Sequence, residues 1–151
     1  MRANQTVADG TGTGQEMRVA TLRRVGFRGY QWTLLAFLLA GVVQIFLAGL
    51  GAFRLQDQAG AGDSAFAPHR ALGFSMGAVA LLILVLAVIA RPGTRAIAGS
   101  AVLVLLTLLM QSLLAGFAED HVVFGALHAL DGLLILSLAA YLYYWSRRRE
   151  T

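Results

Sequence analysis

No cysteine occurs among the 151 residues, so disulfides, thiolate metal sites and a cysteine nucleophile are excluded, and any redox chemistry has to come from a bound cofactor. Charge is scarce as well. Charged residues make up 13% of the chain against 58% apolar ones, too little to cover a water-soluble surface of this size. Lysine is missing: all twelve cationic residues are arginine. Proline occurs twice, Pro92 falls in a turn, and no apolar run is broken by proline in mid-span, which argues against a transporter built on discontinuous helices. Nor does the chain carry a phosphate-binding P-loop, a dinucleotide fingerprint, an H-E-x-x-H zinc motif or a Ser, His and Asp set for hydrolysis. Three histidines with few carboxylates nearby make a poor site for a hard metal ion.

What the chain has in quantity is long apolar runs. They extend over 30–53, 65–90, 96–117 and 122–145, and each reaches the roughly 20 residues that a helix needs to cross the hydrocarbon core. Their unbroken character selects helices over a barrel. The reading is an all-α integral membrane protein, a four-helix up-down-up-down transmembrane bundle over residues 30–146. Residues 1–29 read as a disordered cytoplasmic tail, and 147–151 as a basic cytoplasmic tail. The first run is too long for a signal-peptide core and counts as a retained span.

Arginine placement sets the expected topology. Arg2, Arg18, Arg23, Arg24, Arg28, Arg91, Arg95, Arg147, Arg148 and Arg149 fall on one side, and only Arg54 and Arg70 on the other, together with Asp57, Asp63, Glu119 and Asp120. The positive-inside rule puts both termini of this multi-pass cell-membrane protein in the cytoplasm. Tyr30, Trp32, Tyr141, Tyr143, Tyr144 and Trp145 would form the aromatic belt there. The basic balance therefore reads as topology, with the lipid bilayer as partner and no nucleic acid.

The chain also repeats itself. Gln44 to Leu50 and Gln111 to Phe117 both read Q-x-x-L-A-G plus a bulky apolar residue, and His69 to Gly73 and His128 to Gly132 both read H-x-x-x-G. A duplicated helical hairpin is expected, its halves related by a pseudo-two-fold axis along the membrane normal. That axis pairs His69 with His128.

In such a bundle the second and fourth helices are diagonal, their axes on the order of 11 to 14 Å apart for neighbours packed at 8 to 10 Å. Two imidazoles meet across that gap with a group between them, and a six-coordinate heme iron fits. Gly73, Gly77, Gly125 and Gly132 lie on the same faces as the two histidines, where they either clear space for a macrocycle or serve close helix packing. Arg70 either pairs with heme propionates or snorkels to the interface. His121 reads as a wetted helix-start residue. Asp131, an ionisable group within a span, reads as a structural or proton-handling carboxyl, and the two glutamines as interhelical hydrogen-bond partners.

The chain resembles one four-helix half of the heme A synthase family. The resemblance covers about residues 32–145 and rests on His69-Arg70 with Gly73, on Leu109 to Gly116, and on Ala126-Leu-His128. It implies His69 and His128 as the axial ligands of a heme b. The family's glutamate four residues before the first histidine is Ala65 here, and its second half is absent, so heme A synthesis itself does not carry over. The function expected is that of a small b-type cytochrome-like protein for electron transfer or heme handling. The alternative is a cofactor-free scaffold or accessory subunit, partnered by another membrane protein or by a second copy of itself.

Overall fold

A computed structural model describes residues 9–57, 62–118 and 120–149. The elements are α1 (Asp9–Asp57), a 3-10 turn (Gly62–Phe66), α2 (Ala67–Ala90), α3 (Thr94–Val104), a π-helical turn (Leu105–Met110), α4 (Gln111–Phe117) and α5 (Val122–Arg147). The π turn joins α3 and α4 into one span, Thr94–Phe117. With Gly14–Asp57, Ser64–Ala90 and Val122–Arg147, that makes four helical stretches long and apolar enough to cross a membrane. The fold is an all-α membrane bundle.

Local chemistry explains the tight turn between the second and third spans. The Arg91 N–H closes the last turn of α2 on the Ala87 carbonyl at 3.0 Å while Arg91 takes a left-handed φ of 49°. Pro92 then prevents the helix from continuing. Gly93, at φ 134°, adopts a conformation open to glycine and starts α3. Arg149 donates to the Pro92 carbonyl, and Arg148 and Arg149 lie over the rings of Tyr144 and Trp145, each 4.4 Å from the centroid. The first residues of the basic C-terminal tail are thus folded onto the bundle; Glu150 and Thr151 lie outside the described residues.

Among the described residues, α1 packs on α2 and α5, and α3 packs on α2 and α5, whereas the backbone of α1 stays clear of α3 and α4 and that of α2 stays clear of α4 and α5. The spans therefore follow one another around a square, with the second and fourth on a diagonal. The core fills only one half of it. Tyr30, Leu34, Phe37, Met76, Ala80, Ile83, Ala87, Ala96, Leu103, Ile135, Ala139 and Leu142 form a single buried cluster, all toward the end that carries the arginines. Here Tyr30 and Ser100 bring their hydroxyls to 3.5 Å, and the Gln31 amide donates to the Ser146 carbonyl at 3.2 Å. Tyr30 is thus a core residue and not part of an interfacial belt, while Trp32, Tyr141 and Tyr144 are exposed.

The expected disordered tail over 1–29 needs correction. Residues 1–8 lie outside the described residues, but from Asp9 onward the chain is helical and continuous with the first span. A helix that already exists in the membrane extends at the cost of one residue at a time, with no new nucleus required, so the weak periodicity of this segment does not stop it.

Candidate functional site

At the opposite end of the bundle the packing changes character. No residue between Val104 and Leu130 is buried among those described, and α4 packs only on α5 and on its own π turn. This half consists of two separate pairs, α1 with α2 and α4 with α5, each fastened by a glutamine and a histidine. In the first, the Gln44 side-chain amide donates to the His69 carbonyl at 2.9 Å, and His69 Nδ1 donates to the Gln44 carbonyl at 3.2 Å. In the second, the Gln111 amide donates to the His128 carbonyl at 3.0 Å, and His128 Nδ1 donates to the Gln111 carbonyl at 3.2 Å. The two clasps share the same pair of reciprocal bonds.

A carbonyl only accepts, so each Nδ1 carries a ring proton, and in the neutral ring this leaves the lone pair on Nε2. The Gln44 amide nitrogen lies 3.4 Å from His69 Nε2, the contact of a donor with that lone pair. Between the clasps, the His69 and His128 rings approach with centroids 6.2 Å apart and planes inclined at 61°. Both rings are half-buried. Although His69 is in the first turn of α2 and His128 lies two turns into α5, the rings meet at one level, so the offset in helix starts is absorbed by the preceding segments.

The glycines of the H-x-x-x-G motifs have a specific task in this geometry. A Cβ on Gly73 would stand 3.2 Å from the Gln44 amide nitrogen, and one on Gly132 would stand 3.6 Å from that of Gln111. Their missing side chains let each amide reach the histidine carbonyl one turn before. Gly77 is buried, with the Leu108 side chain in the space a Cβ would need, and a Cβ on Gly125 would rest 3.7 Å from that of Ala118. These four positions accommodate protein side chains. Arg70 is exposed beside His69, and His121 is exposed at the start of α5, its ring 6.1 Å from that of Phe124. His121 takes no part in the ring pair.

Asp131 lies one turn beyond His128 and is 6% exposed, within hydrogen-bonding reach of the Gln111 side chain. Its Oδ2 is buried without a partner, as is Oε1 of Gln44. Two-fold equivalence explains why this carboxyl stands alone, since the corresponding residue on α2 is Leu72.

The equivalence extends through the molecule. Met76, Ala80, Ile83 and Ala87, four of the six buried residues of α2, recur fifty-nine positions later as the buried Ile135, Ala139, Leu142 and Ser146 of α5. The sequence motifs exposed the duplication; they did not expose the clasp, because reciprocal use of a backbone carbonyl leaves no residue signature. No group of three or more His, Cys, Asp or Glu side chains is placed to hold a metal ion among the described residues, so the histidine pair is the candidate ligand set. Neither a curated protein nor a solved structure matches the chain. Residues 44–118 are similar to a family of unknown function, DUF6220, a stretch just under half of the chain that includes Gln44, His69 and Gln111 and ends before His128.

Proposed function

We propose that the protein binds one heme b, which His69 and His128 would hold, and serves as a small b-type cytochrome-like membrane protein. The observation that carries this reading is the ring separation. His69 and His128 are the two histidines that the fold brings together, their ring centres 6.2 Å apart, and these two side chains would hold the heme iron. The Nδ1 bonds to carbonyls are of the kind that orient ligating histidines, and α4 has no backbone contact with α1 or α2 in this half of the bundle. The resemblance to one half of heme A synthase supports the same ligands.

The chain's own part in this reading is positional. The clasps orient both imidazoles through Nδ1; His128 Nε2 would be available as a ligand, and His69 Nε2 would be once the Gln44 amide, 3.4 Å away, releases it, while the apolar spans keep bulk water away. When bound, the heme supplies one-electron chemistry, for electron transfer or for heme handling. Arginine asymmetry supports termini on the cytoplasmic side and hence a heme near the outer face. A reporter fused after Thr151 should then be active in the cytoplasm and one inserted near Gly60 outside; the opposite pattern would invert the placement.

A second reading is favoured by one observation: both histidines are already hydrogen-bonded in the clasps, which can hold a cofactor-free scaffold together unaided. An optical spectrum decides between the two. With ample heme during expression, the wild type should show a low-spin bis-His spectrum, lost or converted to high spin in His69→Ala and His128→Ala and unchanged in His121→Ala. A colourless protein would leave the scaffold.

A further inference from the structure

The two halves of the repeat are related by one spacing in the even spans and by two in the odd ones. Between α2 and α5 the spacing is fifty-nine throughout, from His69 and His128 down to Ala87 and Ser146. Between α1 and the third span it is not constant. At the arginine end the buried Tyr30, Leu34 and Phe37 recur sixty-six positions later as the buried Ala96, Ser100 and Leu103. At the histidine end Gln44, Leu47, Ala48 and Gly49 recur sixty-seven positions later as Gln111, Leu114, Ala115 and Gly116. The extra residue falls after Leu103 and before Gln111, which is where the π turn Leu105–Met110 sits. The first span is α-helical over the corresponding stretch.

A π turn closes i to i+5 hydrogen bonds and so takes up more residues than an α turn over the same path. We infer that Leu105–Met110 is a one-residue insertion in the second copy of the hairpin, and that it positions Gln111, and through Gln111 the imidazole of His128. One residue is worth about 100° of rotation on an α-helix. Without the insertion, a third span seated by Ala96, Ser100 and Leu103 would turn the Gln111 carbonyl and amide away from α5. With it, the core register and the clasp register hold together. The polar side chain of the turn is incidental to this: the Thr107 hydroxyl is buried with no partner. Length carries the function, and Gln111 is a positioning residue.

The inference takes the Gln–His clasps as the site, as the proposed function does, so the test needs a readout that does not depend on heme. The absence of cysteine supplies one, because engineered pairs can be read by disulfide formation without background. Gly99→Cys with Leu142→Cys reports the core register, and Gly77→Cys with Leu108→Cys the register after the extra residue, because Leu108 within the turn already follows Gly41 by sixty-seven positions; in each pair a Cβ on the glycine would touch the leucine side chain, so the two positions face each other. Deleting Thr107 should leave the first crosslink intact, abolish the second and remove the bis-His spectrum. Restoring length with one alanine after Val104 in the deletion chain should bring both back, and Thr107→Ala alone should change nothing. If the shortened chain does not accumulate, one alanine added after Leu106 in the full chain should likewise break only the second crosslink. Both crosslinks forming equally in chains shortened or lengthened by one residue would overturn the inference, as would failure of the restored chain to recover. A wild type that is colourless while its crosslinks follow this pattern defeats the heme reading alone.

Discussion

Leu136 of α5 fills the space where Gly41 of α1 has no side chain. On the other side of the square the same contact recurs with its partners exchanged, for Leu108 fills the space beside Gly77. The two-fold relation carries Gly41 onto Leu108 and Leu136 onto Gly77, so each interface keeps one large and one absent side chain. Such complementarity lets helices approach closely at a point where neither bears a polar group.

Exchange between these partners should therefore be tolerated where a single change is not. Gly41→Leu overfills the contact and should destabilise the bundle by about 1 to 3 kcal/mol, and Leu136→Gly should leave a void of similar consequence. The double variant recreates the arrangement already present at Gly77 and Leu108. Unfolding in detergent, analysed as a double-mutant cycle, should show most of the loss recovered; additive losses would mean that the two contacts are not equivalent.

The two clasp glycines should respond differently to a methyl group. At Gly132 the new Cβ would rest in ordinary contact, and the helical preference of alanine should stabilise by about 0.5 to 1 kcal/mol. At Gly73 the 3.2 Å approach to the Gln44 amide puts the hydrogen bond to His69 at risk, about 1 kcal/mol. Gly132→Ala should thus be the more stable of the two by about 1 kcal/mol, measured by thermal unfolding, and the bis-His spectrum should shift only in Gly73→Ala. Equal behaviour at the two positions would show that the Gln44 amide does not need the gap.

Asp131→Leu installs the residue that the first hairpin has at the same place. A buried polar atom without a partner costs about 1 to 3 kcal/mol, so this variant should raise the unfolding temperature while leaving the His69 and His128 ligands in place. A drop in stability would mean that the contact of Asp131 with the Gln111 side chain outweighs the cost of the unpartnered Oδ2.

Residue type alone was enough to find the spans, because bilayer thickness demands some twenty apolar residues and the chain shows four such runs. His69 and His128 were equally legible, since a Gln and a His recur in the same order in both hairpins. The helical state of 9–29 was not. It is rich in Gly, Thr and Arg without apolar periodicity, and its helix depends on continuity with a span that local preference does not register. The π turn was hidden for another reason: Leu105 to Met110 is a run of apolar residues with one threonine, and an extra apolar residue in lipid leaves no trace in composition. It emerges when the buried positions of the third span are set against those of the first. The purpose of Gly73 and Gly132 was obscured similarly, since a gap for an amide and a gap for a macrocycle look alike in one dimension.

The one-sided core has a consequence for how the molecule moves. Packing density sets the free energy of local opening, and here it falls steeply along the helix axes. Amide protons on α2 and α5 near Ile83 and Leu142 should open only with the whole fold, whereas those of α4 should exchange through partial separation of the α4 and α5 pair from the α1 and α2 pair. The histidine end therefore breathes about a fixed base, as the jaws of a clamp do about its pivot.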